Sequence, residues 1–336
     1  METSRSLRIV VLLFAVPLAV LTSNGIGAQE SITFDPQTGN YVITYKGLNE
    51  SGQEVERQVV FVPATKIDPA VRSKIKQTEK GLLYNYKLSN SKGGQQALVS
   101  FNVGSVPDVL DVISPSGWYK TVGPDVQQGT GYRIGWVFKT RGDLGGGVVP
   151  GSHGVEFSVM SASLPGVGIA RFRGATPIQG YVDEGPRGEF GKQVAELEHP
   201  ERNSVPRTAA VPLIPVPNPF DPAAVLTSVQ KHVNQDLVAM KLVDPAFAFQ
   251  LDRMLQAAIA AAKGGNTVAL KSNLKDLRHL LKREHADVDA EDDDKDDGEN
   301  DDQQKVKLRL IDKLAAKVLD FDFKYVEERL SGKRED

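Results

Sequence analysis

The residues of this chain best suited to contact a ligand are two aromatics at the end of a turn. Trp118 and Tyr119 close the run Ser114-Pro115-Ser116-Gly117. Aromatic rings carried on a loop can stack on the apolar faces of sugars, with the tyrosine hydroxyl left free for a hydrogen bond. A tryptophan after Pro-Ser-Gly can equally fold back and plug the end of a sandwich, and the sequence leaves both roles open. Trp136 alternates with Ile134 and Phe138 in residues 132–139, so it shares their face and reads as core.

Motifs for catalysis are absent where spacing can test for them. The five histidines (His153, His199, His232, His279, His285) form no HExxH and no His-x-x-x-His pair. Gly151-Ser152-His153-Gly154 lacks the spacing of a nucleophile elbow. The stretch from Gly185 to Lys192 is one residue off a phosphate loop, and Gly166-Val167-Gly168 lacks the third glycine of a dinucleotide turn. These near-misses read as turns, and no cofactor is expected. Two carboxylates of a glycosidase leave no trace in spacing, so a carbohydrate-active hydrolase stays as the alternative to a binding protein.

Charge is concentrated in one place. Residues 287–302 hold eleven acids against the single base Lys295, within a chain of net charge −3. A calcium loop closed on Gly298 would begin at Asp293, but its third position is Lys295 and its twelfth is Gln304, so the match fails. The acidic loop, taken as 286–303, is expected to be disordered and solvated. Lys271, Lys275, Arg278 and Lys282 recur at helical spacing beside a leucine stripe. That basic strip is a solvated face, a dock for the acidic loop, or a surface for an anionic polymer. Nucleic acid does not fit an exported chain without a basic excess.

Export itself is read from residues 1–28. Arg5 and Arg8 precede an apolar run over residues 9–21 and a small-residue exit at Ala28, the pattern of a signal peptide cut after Ala28. The mature protein is then periplasmic or extracellular and not membrane-spanning. The absence of cysteine excludes a lipid anchor at the cut and all disulfides.

The elements that would position these residues fall into two parts. Short β-rich runs at residues 41–45, 58–62, 82–88, 97–103, 109–113, 132–139, 155–161 and 169–172, punctuated by Gly, Pro, Asn and Ser, predict an antiparallel β-sandwich over 29–185. Residues 68–77, with Pro69 at a first helical position, are expected as one or two helical turns. Eight prolines between 186 and 222 predict an extended linker, or for part of it a proline-bearing edge strand capping the sandwich. Residues 223–332 then carry helical periodicity. Residues 246–263 end at Gly264-Gly265, and Leu270, Leu274, Leu277 and Leu281 mark the next helix. The fold class is therefore multidomain β + α, an N-terminal antiparallel β-sandwich followed by a small helical bundle.

Two resemblances follow from these residues. Tyr84-Asn85-Tyr86-Lys87-Leu88-Ser89-Asn90, Pro115-Ser116-Gly117-Trp118, Gly135-Trp136 and the segment from Pro150-Gly151-Ser152 to Leu164-Pro165-Gly166 resemble a group of uncharacterised exported bacterial sandwich proteins. Residues 251–263, Gly264-Gly265-Asn266 and residues 270–281 are similar to the FIVAR/FIMAH-like helical modules that end extracellular enzymes and adhesins. Those modules imply attachment or spacing, and neither resemblance brings a catalytic residue. The expected function is an exported, non-catalytic binding or attachment protein at the cell envelope or outside. Its partner would be a polysaccharide or envelope component, or a protein held by the bundle. A structural envelope spacer is a third reading.

Overall fold

The computed structural model describes residues 29–124, 131–139, 146–177, 180–181, 185–284 and 309–332. Residues 1–28, expected as a signal peptide, and the expected acidic loop 286–303 lie outside the described residues.

Among the described residues, the β half contains three antiparallel sheets. The first is a meander, β1 (Ser31–Asp35), β2 (Asn40–Leu48) and β3 (Glu54–Phe61), in that order. The other two face each other as a sandwich. One is ordered β4 (Pro69–Thr78), β5 (Gly81–Asn90), β10 (Ser152–Ser161), β7 (Val109–Ile113). Its partner is ordered β12 (Val205–Ile214), β11 (Leu164–Gly174), β6 (Leu98–Ser105), β9 (Tyr132–Phe138), β8 (Trp118–Pro124). Between the sheets lies an aromatic cluster. Trp136 stacks on Phe101 at 5.0 Å, Phe172 stacks on Phe101 at 5.1 Å, and Tyr86 and Phe157 meet Phe101 at 5.5 Å.

Two expectations from the sequence are corrected here. Residues 68–77 form strand β4, not helix: Val71, Ser73 and Ile75 alternate with exposed Arg72, Lys74 and Lys76, and a period of two cannot present one helical face. Nor is 186–222 an extended linker. It contains helix α1 (Gly188–Glu198) and strand β12, which carries Pro206 and Pro212 at the sheet edge. An edge strand tolerates prolines because its outer N–H groups need no ladder partner. Here that edge is stitched to β4. The Ala210 amide donates to Ser73 Oγ at 3.0 Å and Arg207 Nε donates to Pro69 O at 2.9 Å. The sandwich expected over 29–185 also divides, because β1–β3 form a sheet of their own with a separate small core made with α1.

The helices follow: α2 (Pro222–Lys231), a π-helical turn (His232–Leu237), α3 (Pro245–Lys263), α4 (Thr267–Glu284) and α5 (Lys313–Leu330). Asp221, Asp244 and Asp312 cap α2, α3 and α5 by accepting hydrogen bonds from their first amides. The helices do not stand apart from the sheet. Helix α5 packs on β11 and β12, and one hydrophobic core runs from Trp136 and Phe172 to Leu251, Leu277 and Phe323. His232, 3 % exposed, pins the junction. Its Nε2 accepts the Val167 amide at 3.0 Å while Nδ1 faces Asp236 at 2.8 Å, which sets the tautomer with the proton on Nδ1. No helix among the described residues is long and apolar enough to cross a membrane.

Candidate ligand groove

The aromatics singled out in the sequence do not form a shared platform. Trp118 begins strand β8 and is 8 % exposed. Its indole packs edge-on against Phe157 at 4.9 Å and Phe138 at 5.5 Å, closing the end of the sandwich. Tyr119, the next residue along the strand, points to the opposite face, as successive strand residues must. Its ring is 53 % exposed and lies 5.3 Å from the Lys139 ammonium. The expectation of a Trp118–Tyr119 stacking pair is corrected accordingly: burial removes the tryptophan. Trp136 is fully buried, as its alternation with Ile134 and Phe138 required.

A different aromatic group gathers on the β1–β3 meander. The register pairs Phe34 with Tyr41 across β1–β2, and Tyr41 with Phe61 across β2–β3. All three rings therefore project from one face in a single row across the strands, with centroids 5.1 and 6.1 Å apart and planes tilted by 54° and 53°. Helix α1 covers the neighbouring part of that face, where Val194 packs against Ile43 and Tyr45. Its C-terminal residues leave the aromatic row partly uncovered. The result is a groove of about 480 Å³ between the meander, α1 and the residues after β3.

Local chemistry fixes the first hairpin turn and one wall. The β1–β2 turn is closed by Asp35, whose carboxylate accepts from Thr38 Oγ1 at 2.6 Å and from the Gln37 amide at 2.9 Å. Those bonds, the Thr38 hydroxyl first, hold the Asp35 carboxyl below its ordinary value. Gly39 completes the turn at φ +65°, a conformation a side chain resists. Lys66 ties the turn to the opposite wall by donating to Thr38 O and Asn40 Oδ1. That wall is held in turn by buried Asn203, whose Oδ1 accepts the Ala64 amide at 2.6 Å.

The groove has an apolar floor and a polar rim. Phe61 is only 4 % exposed and forms the floor, Tyr41 is half-buried, and Phe34 is 52 % exposed at the mouth. On the rim stand Gln193, Glu196 and Arg202, with Arg202 Nη1 3.0 Å from Glu196 Oε2. Flat rings beside amide, carboxylate and guanidinium groups suit a ligand with apolar faces and hydrogen-bonding edges. Glu196 is the one carboxylate among the lining residues, and it is already ion-paired.

The basic strip on α4 resolves differently from all three expected roles at its centre. Arg278 reaches α5, where Nε meets Asp320 Oδ1 at 2.8 Å and Nη1 meets Glu327 Oε2 at 3.2 Å. A second groove, about 460 Å³, runs along α3 and α4 beside Phe249, which is 66 % exposed. Among the described residues no cluster of three or more His, Cys, Asp or Glu is arranged to hold a metal ion.

No family model matches the chain, and no curated protein matches it. The likeness of the helical part to FIVAR/FIMAH-like modules therefore finds no support in these comparisons. Among solved structures, the chain is similar to an uncharacterised protein from Nocardia farcinica described as having an immunoglobulin-like fold. The match has 13% sequence identity and a TM-score of 0.24, and covers 41% of this chain and 96% of that one. At that TM-score the likeness carries no argument; the sandwich stands on its own strand pairing.

Proposed function

We propose that this chain is an exported, non-catalytic binding protein that holds a glycan in the Phe34–Tyr41–Phe61 groove. The observation that carries the reading is the row of three rings set by strand register, opening beside Gln193, Glu196 and Arg202. Sugar rings present C–H faces to aromatic side chains and hydroxyls to amides and charged groups, and the groove offers both. Binding is favoured over hydrolysis because glycoside cleavage uses two carboxylates flanking the bond, whereas Glu196 stands alone in the lining and is engaged by Arg202. Export rests on the pattern of residues 1–28, with cleavage after Ala28 and action at the envelope or outside. The helical hairpin α3–Gly264-Gly265–α4 serves attachment in this reading, in the manner of the FIVAR/FIMAH-like modules it resembles. The exposed Phe249 supports a contact there.

The test is co-sedimentation of the purified protein with insoluble polysaccharides and with isolated cell envelopes. Phe34→Ala is the informative variant, because a half-exposed ring can be removed at little cost to folding. Losing one aromatic contact at the mouth weakens binding by about 1–2 kcal/mol, roughly five- to thirtyfold. Wild-type binding that Phe34→Ala and Tyr41→Ala leave intact would sink the assignment, as would absence of binding across the whole panel.

A further inference from the structure

Helix α5 presents an apolar stripe to the rest of the protein at Ala315, Leu319, Asp322 and Val326, spaced i, i+4, i+7, i+11. Three of the four are apolar and fully buried. The fourth is a carboxylic acid, 1 % exposed, with neither oxygen hydrogen-bonded to any described protein group. A charged carboxylate in such a place would need a partner, and an unpaired one is strongly disfavoured.

None of the neighbouring titratable and charged groups hydrogen-bonds Asp322: most are committed elsewhere, while the Tyr86 hydroxyl and Arg173 Nε are themselves buried without a partner. From α4, Arg278 is taken by Asp320 and Glu327. From β5, the Tyr84 hydroxyl, whose ionisation Asp322 opposes, donates to Ser163 O at 2.7 Å, and Tyr86 lies beyond it. On β11, Arg171 contacts Glu201 and Arg173 is itself drawn into the interior; on β12, Arg207 serves Pro69 O and Asp68. Lys231 ends α2 exposed to solvent, and His232 is held by the Val167 amide and Asp236. Burial alone accounts for the raised proton affinity of Asp322.

We propose that Asp322 is a protonation latch: its neutral carboxyl keeps α5 seated between α4 and the β11–β12 end of the sandwich, and its ionisation frees the helix. The sign follows from linkage. In the opened state Asp322 meets water and ionises near its ordinary value of about 4, whereas in the seated state it keeps its proton. Opening is therefore promoted as pH rises above that value, tenfold per pH unit, until the seated carboxyl itself ionises. Unseating α5 would uncover the Leu270–Leu281 face of α4 and the Arg278 guanidinium, coupling pH to the surface of the attachment module.

The experiment is hydrogen exchange of the whole protein between pH 5 and 9, corrected for the intrinsic pH dependence of exchange, in wild type and Asp322→Asn. In the wild type, protection of residues 313–330 should fall about tenfold per pH unit from pH 5 upward until the seated carboxyl itself ionises, while β5 and β10 keep theirs. In Asp322→Asn, which keeps the shape without an ionisable group, that slope should vanish and α5 should be better protected at neutral pH. An equal slope in both proteins, a flat wild-type profile, or a loss spread evenly through the sandwich would each overturn the latch.

Discussion

Replacing Arg278 with methionine removes a cation that α4 sends to α5, and the structure sets the scale of the loss. The guanidinium is 21 % exposed and Asp320 10 % exposed, so the pair sits in a partly dried interface; Glu327, at 33 %, is nearer the surface. Methionine keeps most of the apolar stem, so little packing is lost. What remains is Asp320 with its principal donor gone. Breaking a fully buried pair in this way costs about 3–5 kcal/mol, and exposed pairs are worth under about 1 kcal/mol. Interpolating for the exposure here gives about 2–3 kcal/mol. Equilibrium denaturation of wild type, Arg278→Met, Asp320→Asn and the double variant measures it directly. The coupling energy should be about 1–3 kcal/mol and should hardly change between low and moderate salt, because burial shields it from counterions. A single-variant cost below about 0.5 kcal/mol would show the basic strip to be a solvated face and refute the reasoning.

Two further outcomes are expected. Trp118→Ala should cost about 3 kcal/mol through loss of its contacts with Phe138 and Phe157, measured as a lower denaturation midpoint, with glycan binding reduced only as far as folding is. Selective loss of binding in a stable Trp118→Ala protein would contradict its place in the core. Burial raises the phenols of Tyr84 and Tyr86 above the ordinary value near 10, so the folded state loses stability as pH climbs past 10 and is unaffected by them below it. Alkaline spectrophotometric titration should show these two ionising only as the protein unfolds, and early, reversible ionisation of all eight tyrosines would count against it.

The fold was largely legible because period-two alternation and helical stripes are local signals. Strands β5, β6, β9 and β10 and helices α3 and α4 all fall where those periods put them. Misreadings arose where a local cue competed with a tertiary one. Asp68-Pro69 resembles a helix start, yet Val71–Ser73–Ile75 alternate under β12. The prolines of 186–222 read as linker because sequence does not say that β11 waits for an edge partner, although the edge-strand alternative described β12. Trp118 sits beside exposed Tyr119, and only knowing where β8 begins decides which of the two faces inward. The candidate groove was the hardest feature to see. It depends on register, with Asp35 opposite Asn40 and Leu48 opposite Glu54 aligning Phe34, Tyr41 and Phe61. Turn residues at 35–39 and 49–53 held that information, but the row appears only once both hairpins are drawn together. The Arg278 pairing was hidden for a related reason, since a strip of cations at helical spacing does not reveal which helix lies across it.

The most direct test of the binding assignment is to locate a bound glycan. Hydrogen-exchange footprinting of the protein with soluble hexasaccharides of glucose and of N-acetylglucosamine would do so. The groove reading predicts slowed exchange confined to residues 32–41, 59–66 and 193–203, lost in Phe34→Ala. Protection centred instead on β8 or on α3 and α4, or no protection at saturating concentrations of either sugar, would contradict it.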